Sequence, residues 1–407
     1  MSKRILSLGV ALALMLVTAA LTFSITMVYS QNEFNRRVSD IKEKEALYTK
    51  IEEVDNIIRQ NYIGTIDEQY LQDCIAAAFV QGIGDRYGQY LTAETYQSYL
   101  DSNNGVTVGI GATVPKTLEG GYLPVIGVTA GSPAEEAGIQ AGDLIISVDG
   151  TSVVGMSADD IIAMVRGEEG TTVSIGVRRG TDDLEPMTVT RRKMAVTSVT
   201  YRMLNDTIGY IAISGFNNNT VDQFSTALNY VIAQGAQGIV FDVRNNPGGT
   251  VSSVANILDI LVPEGPIVSA TYKDGHTEVL ATSDANEVNL PMVVVTNRNT
   301  ASAAELFTQA LKDYNKAVSV GDKTTYGKGT MQSIRKLNDG SAVNLTVATY
   351  NPPKSPNYNG VGVPADFEVT LPTELESKIA ELDISEDTQL KKALELVQTL
   401  VKQNAAQ

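Results

Sequence analysis

The chain has 407 residues, 43% of them hydrophobic, and its 47 acidic against 31 basic side chains give a formal charge of −16. That length and apolar content suffice to bury a full core in two or three domains, which excludes a disordered chain. The excess negative charge repels phosphate backbones and sets nucleic acid aside as a partner.

Lys3 and Arg4 precede residues 5–29, a run of 25 positions without a charge. At about 1.5 Å per residue the run crosses a hydrocarbon core of about 30 Å with some tilt, and it is longer than the apolar stretch of a cleaved signal. A signal-anchor transmembrane segment is therefore expected over residues 1–30, tying the protein to membrane lipid. Val28-Tyr-Ser30 also suits a signal peptidase, so removal of the segment stays open. The basic pair keeps the amino terminus inside and puts the remainder on the extracytoplasmic side, although Arg36 and Arg37 weaken that asymmetry.

Residues 31–105 read as helices. Ile41, Leu47, Ile51, Val54 and Ile58 keep one apolar face, and Leu71, Cys74, Ile75, Ala78, Phe79 and Ile83 make another. Each face needs a partner, either the chain's own core or a second copy in a homo-oligomer. Cys74 is the lone cysteine and is expected as a small buried hydrophobe. One cysteine and one histidine allow neither an intramolecular disulfide nor a structural metal site.

Over residues 106–194 the texture turns to short β-like runs with glycine turns. Gly109-Ile-Gly-Ala112 opens it, Gly131-Ser-Pro-Ala-Glu-Glu-Ala-Gly-Ile-Gln-Ala-Gly-Asp-Leu-Ile-Ile-Ser-Val-Asp-Gly150 lies in the middle, and residues 158–166 read as a short helix. These stretches resemble a PDZ domain. The resemblance implies that a peptide's last residues add a strand beside Gly109, Ile110 and Gly111 while backbone N–H groups hold its terminal carboxylate. Arg166, at the helix's end, reads either as a cation complementing the helix dipole or as a contact that reports a filled groove to the catalytic domain. Taken as a phosphate loop, Gly-x-Gly lacks the third glycine and the helix of a dinucleotide site, and no cofactor is expected.

Residues 195–382 alternate strands with helices. Residues 208–214 read as a strand, and Thr220-Val-Asp-Gln223 fits a capping box opening a helix that buries Phe224, Ala227, Leu228, Val231 and Ile232. Residues 238–243 are the next strand, ending in Arg244-Asn-Asn-Pro-Gly-Gly249, whose glycines permit conformations that other residues avoid. The apolar run 291–295 reads as a buried strand, 297–300 as a turn, and 303–312 as a helix with Ala304, Leu306, Phe307 and Leu311 inward. Ser302 then stands at a strand-to-helix junction. A rigid elbow presents its hydroxyl, and the free N–H groups of the helix's first turn can stabilise a developing oxyanion.

A serine needs a base, because its hydroxyl is too weak an acid to ionise near neutral pH. The single histidine, His276, lies in Lys273-Asp-Gly-His-Thr277 and reads as a solvated turn residue. The alternative is a lysine whose ammonium is partly desolvated, since burial lowers its pKa and frees a neutral amine. Lys328, between Gly327 and Gly329 with Gln332 four residues on, is that candidate. Further on, residues 331–336 and 342–350 flank Asn338-Asp-Gly-Ser341 as a hairpin, and residues 383–407 hold an amphipathic terminal helix.

Three separated boxes, Asp242-Val-Arg-Asn-Asn-Pro-Gly-Gly249, Ser302-Ala-Ala-Glu305 and Gly327-Lys-Gly-Thr-Met-Gln332, resemble the carboxyl-terminal processing, or tail-specific, proteases, which are Ser/Lys peptidases. Asp85-Arg-Tyr-Gly-Gln-Tyr-Leu91 is similar to the family's Asp-Pro-Tyr-Ser-x-Tyr-Leu signature, with Arg86 for proline and Gly88 for serine. The resemblance implies a multidomain α+β protein with an α/β peptidase core of the crotonase or Clp kind. It implies Ser302 as nucleophile, Lys328 as general base and Gln332 as the residue that orients the lysine. It assigns the oxyanion hole to the loop glycines, Gly248 or Gly249, with Ala303 N–H as partner. The expected function is a membrane-anchored serine endopeptidase that takes protein carboxyl-terminal tails through its PDZ domain and cleaves through an acyl-enzyme. The alternative is a catalytically inert PDZ scaffold at the cell surface.

Overall fold

The structure, a computed structural model, describes residues 8–406, so Lys3 and Arg4 ahead of the expected anchor lie outside the described residues. Two compact units divide the chain, one up to Gln72 and one from Asp73. The first is dominated by a continuous helix, α1 (Leu8–Asn61). Its stretch Ala13–Gln31 has a mean hydropathy of 1.7, and by length and composition it fits a membrane span. Farther along, Ile41, Leu47, Val54 and Ile57 are exposed.

Helix α2 (Glu68–Gly82) departs from the expected orientation. Cys74, Ile75, Ala78, Phe79 and Ile83 are exposed, while Asp73, Ala76 and Val80 turn inward. The Tyr90 hydroxyl donates to Asp73 Oδ1 at 2.6 Å and holds that side down. A polar bond thus sets the rotation of the helix, and Cys74 is a surface residue rather than a core one.

After β1 (Gln89–Leu91) and α3 (Ala93–Asn103), a small β domain is built from β2 (Val106–Gly109), β3 (Ala112–Thr113), β4 (Leu123–Pro124), β5 (Gly127–Val128), α4 (Pro133–Glu136), β6 (Leu144–Val148), β7 (Thr151–Ser152), α5 (Ala158–Val165), β8 (Thr172–Arg179), β9 (Asp182–Asp183), β10 (Met187–Thr190) and β11 (Arg192–Ala195). Its main sheet runs β10-β8-β6-β4, while β2 pairs with β11 and β3 with β5. Alternate residues of β8, Val173, Ile175 and Val177, close a core under Ile161 of α5 with Ile145 and Val148 of β6, whose register shifts between Ile145 and Ser147.

The larger domain is a six-stranded sheet in the order β12 (Val199–Asn205), β13 (Ile208–Ile213), β14 (Gly238–Asp242), β17 (Met292–Thr296), β18 (Ala317–Gly321) and β21 (Phe367–Glu368), parallel except for its first pair. Ile239 and Phe241 of β14 pack with α6 (Thr220–Ala233), α7 (Val251–Leu261) and α8 (Ala303–Asp313). Val240 joins Leu390, Ala393 and Val397 of the terminal helix α9 (Thr388–Ala405). Both faces are covered, which is why these strands read as unbroken apolar runs. The capping box expected at Thr220 does not form. Thr220 donates to the Gly215 carbonyl at 3.0 Å, and Gln223 Oε1 accepts from Ser198 N–H (2.9 Å) and Val199 N–H (3.2 Å), so tertiary partners take the atoms a local cap would use. Ile232, at that helix's end, is exposed.

A second, antiparallel sheet joins β1, β15 (Gly265–Tyr272), β16 (Thr277–Ser283), β19 (Thr330–Lys336) and β20 (Ala342–Asn351). Leu91 pairs with Ala342 and Gln89 with Asn344. This pairing carries the Asp85 to Tyr87 segment to the candidate site.

Candidate active site

Ser302 lies between β17 and α8 with φ 56° and ψ −119°. Such a backbone costs about 1–3 kcal/mol in a residue with a side chain and persists only where its surroundings enforce it. Here they do. Ser302 N–H donates to Glu305 Oε2 at 2.8 Å, its carbonyl accepts from the N–H groups of Glu305 (2.9 Å) and Leu306 (3.0 Å), and Ala301 N–H donates to the Asn246 carbonyl at 2.9 Å.

The loop after β14 is tied down residue by residue. Asp242 grips Arg244, whose Nη2 reaches Asp387 Oδ2, at the start of α9, at 2.7 Å. Asn245 Oδ1 accepts from Asn297 and Asn299, and Asn246 Nδ2 donates to the Ile213 carbonyl. The loop's two asparagines therefore fasten it to the serine turn and to the sheet. Gly248, at φ 105°, packs directly on the Ser302 elbow. A Cβ there would lie 2.7 Å from Ser302 Cβ, and one on Gly249 would lie 2.0 Å from the Phe216 carbonyl, so only glycine fits. The two glycines are not equivalent as donors. Gly248 N–H is taken by Asn246 Oδ1 at 2.8 Å, whereas the N–H groups of Gly249 and Ala303 have no acceptor among the described residues.

Glu305 is fully buried and accepts four bonds. Its Oε1 takes the Thr325 hydroxyl (2.5 Å) and Gly327 N–H (2.6 Å), and its Oε2 takes Ser302 N–H (2.8 Å) and Lys328 N–H (2.8 Å). One carboxylate thus binds the backbones of the serine elbow and the Gly-Lys-Gly turn together. A Cβ on Gly327 would come within 2.9 Å of Gly362 N, and one on Gly329 within 2.6 Å of Asn357 Oδ1, which is why the lysine is flanked by glycines.

Ser302, Lys328 and Gln332 line one cleft of about 390 Å³ with Gly249, Tyr87 and Tyr350. Burial pushes the Lys328 ammonium below the ordinary lysine pKa, against the pull of the Asp85 and Glu305 charges. Its Nζ rests 4.7 Å from the Tyr87 ring centroid and makes no hydrogen bond to Ser302 among the described residues. The neighbour of Ser302 Oγ is instead Tyr350 Oη, at 3.1 Å, which also lies 2.9 Å from the Lys328 carbonyl. With one proton, that hydroxyl can donate to only one of them at a time. Gln332 Nε2 donates to Thr330 (3.0 Å) and Thr346 (3.1 Å) and makes no hydrogen bond to Lys328 among the described residues. Thr346 in turn donates to Asp85 Oδ1 at 2.9 Å. Burial alone would raise the Asp85 carboxyl, but the bonds from Thr346 and the Tyr87 N–H outweigh it and hold its pKa low.

His276 sits in the β15–β16 turn, exposed, against Asp274 and the Tyr272 ring. In the small domain Gly109 is paired with Arg192 of β11 and Ile110 is buried, so the unpaired strand edge begins at Ala112 and Thr113 of β3. Gly111, at φ 85°, packs against Ser132. A groove of about 520 Å³ lies between this segment and Ile162, Val165 and Arg166 at the end of α5. Arg166 is exposed and forms no ion pair among the described residues. Glu305, Tyr350, Tyr87 and the Asp85–Thr346 link were not assigned from the sequence. Glu305, Asp85 and Tyr87 stood inside motifs that could have pointed to them, whereas Tyr350 and Thr346 did not.

An α/β core that presents a serine on a strained strand-to-helix elbow, joined to a PDZ-like β domain, has the architecture of a PDZ-bearing serine peptidase. Comparison with known proteins agrees, since peptidase family S41 matches residues 207–369 and the PDZ domain residues 125–179. A probable CtpA-like serine protease of Staphylococcus aureus (strain MSSA476) is 33% identical over 376 residues, 91% of this chain and 73% of that one. The chain belongs to peptidase family S41, among the CtpA-like C-terminal processing serine proteases. A putative S41 protease from Bacteroides fragilis NCTC 9343 shares the fold, with a TM-score of 0.56 at 19% identity over 85% of this chain and 97% of that one. A photosystem II D1 C-terminal processing protease is 30% identical over 79% of this chain and 89% of that one, with a TM-score of 0.48.

Proposed function

We propose that this serine peptidase is a membrane-anchored endopeptidase that takes protein tails through its PDZ domain and cleaves them by Ser/Lys acyl-enzyme chemistry. The observation that carries the reading is the strained Ser302 elbow, opening on the same cleft as a lysine whose amine burial makes easier to deprotonate. Lys328 takes the Ser302 proton as Oγ attacks the scissile carbonyl, and it returns that proton to the leaving amine; water then releases the acyl group by the same route. Gly249 and Ala303 N–H hold the oxyanion, because Gly248 N–H is already engaged. For proton transfer Lys328 leaves the Tyr87 ring and replaces Tyr350 at Ser302 Oγ. Gln332 Oε1, with Nε2 pinned by Thr330 and Thr346, orients the lysine on arrival. An inert scaffold would have no use for so strained a serine.

The open edge of β3, at Ala112 and Thr113, takes the incoming tail as an added strand whose carboxylate end lies toward the Gly109-Ile-Gly111 segment, and Arg166 at the end of α5 reports that the groove is filled. Helix α1 anchors the chain with its catalytic part outside the cytoplasm, and the exposed apolar stripes of α1 and α2 associate in a homo-oligomer. The reading is tested by incubating the protein and its Ser302→Ala form with cell-envelope proteins and comparing the carboxyl termini produced by mass spectrometry. New termini are expected with the native protein alone; the same termini from both would end the peptidase reading.

A further inference from the structure

The cleft carries a cation that the proposed chemistry does not use. In a chain of formal charge −16, the residues lining the cleft include Arg86 and Lys328 but no carboxylate. The two nearby acids are spent elsewhere, Asp85 on Thr346 and Glu305 on the backbone beneath the Gly-Lys-Gly turn. Arg86 is exposed and forms no ion pair among the described residues. It is nevertheless ordered. Its Nη2 donates to Tyr326 Oη at 2.6 Å, and its guanidinium carbon lies 5.2 Å from the Tyr326 ring centroid and 5.5 Å from that of Tyr87. Tyr87 is the same ring against which Lys328 rests.

A guanidinium stacked between two tyrosines has already lost much of its rotamer freedom, and it still offers N–H groups in the planar fork that matches a carboxylate. We propose that Arg86 is a specificity-determining residue that binds a carboxylate of the bound peptide close to the scissile bond. That carboxylate is either an Asp or Glu side chain or the peptide's own free end. The family signature that residues 85–91 resemble has proline at this position, so the signature itself does not supply this cation. The inference rests on the peptidase reading of the cleft and names the class of substrate the cleft selects.

The test uses the full chain in detergent and one peptide in four forms, with an acidic residue or its amide beside the scissile bond and with a free or amidated end. Cleavage is measured for the native protein, Arg86→Gln and Arg86→Glu, and binding is measured by anisotropy on the Ser302→Ala form with and without the same changes. Arg86→Gln should lower kcat/KM for the carboxylate-bearing peptide about 5- to 20-fold, chiefly through KM, and leave the fully amidated peptide unchanged. Arg86→Glu should invert the preference, and the arm that responds identifies the carboxylate. The proposal is overturned if the native protein cuts and binds all four forms alike, or if Arg86→Gln slows all four equally, as a mere prop for Tyr326 would. Its fate is separable from that of the peptidase reading. An acid preference in binding that Arg86→Gln removes, without any cleavage, sustains Arg86 and removes the chemistry, and cleavage with no preference that Arg86→Gln removes does the reverse.

Discussion

Glu305→Gln changes one oxygen into an amide nitrogen on a fully buried carboxylate that accepts from Thr325 Oγ1, Gly327 N–H, Ser302 N–H and Lys328 N–H. Whichever way the amide turns, its NH2 faces two former donors. Turned toward Ser302 and Lys328, it orphans two backbone N–H groups; turned toward Thr325 and Gly327, it orphans one and forces the threonine hydroxyl to reverse its role. An unmet buried donor costs about 1–3 kcal/mol, so the cheaper orientation, with one orphaned N–H and a reversed hydroxyl, costs about 1–3 kcal/mol, part of it in folding and part in the Ser302 elbow. With the elbow relaxed, kcat for a tail peptide should fall about 10-fold while KM changes little, and Tm by near-ultraviolet circular dichroism should drop by a few degrees. If Glu305→Gln keeps kcat within about threefold of the native protein at an unchanged Tm, the carboxylate does not assemble this site.

Lys328→Ala should lose about 1,000-fold or more in peptide cleavage, whereas His276→Ala, at a turn whose ring contacts Asp274 and Tyr272, and added EDTA should change the rate less than twofold. As the proposed base, Lys328 works as the neutral amine, so kcat/KM should rise with pH and level off above a pKa lying below the ordinary lysine value. Because the Asp85 charge favours the ammonium, Asp85→Asn should bring the plateau to lower pH; a flat profile, or a shift upward, would speak against lysine as the base. Amidating a peptide's end should slow its cleavage about 5- to 150-fold through the PDZ groove, and Arg166→Ala should shrink that difference; equal rates for acid and amide in both proteins would show that the groove does not gate.

The elements that form the candidate site were legible because they are local. A run of valines, a polar turn and an inward-facing helix place Ser302 on its elbow, and the glycines at 248, 249, 327 and 329 announce close backbone approach before any contact is seen. What escaped is held by pairs far apart in sequence. Asp85 meets Thr346 across 261 residues, and Glu305 meets Gly327 and Lys328 through backbone N–H groups, which leave no side-chain pattern to read. The same reason explains the misread faces. Asp73, through its bond to Tyr90, turns α2 so that Cys74 faces outward, and Gln223 caps a strand instead of its own helix. Apolar periodicity predicts which residues want a partner, and it is silent where a single polar bond decides the rotation.

The central claim is that Ser302 becomes acylated with Lys328 as its base. The protein is mixed with a cleavable tail peptide, quenched in acid within the first turnover, digested and mapped by mass spectrometry. The account predicts the amino-terminal part of the peptide in ester linkage on Ser302, gone in Ser302→Ala and greatly reduced in Lys328→Ala. Product formed by Ser302→Ala at the native rate, or an acyl group on any other residue, would contradict it.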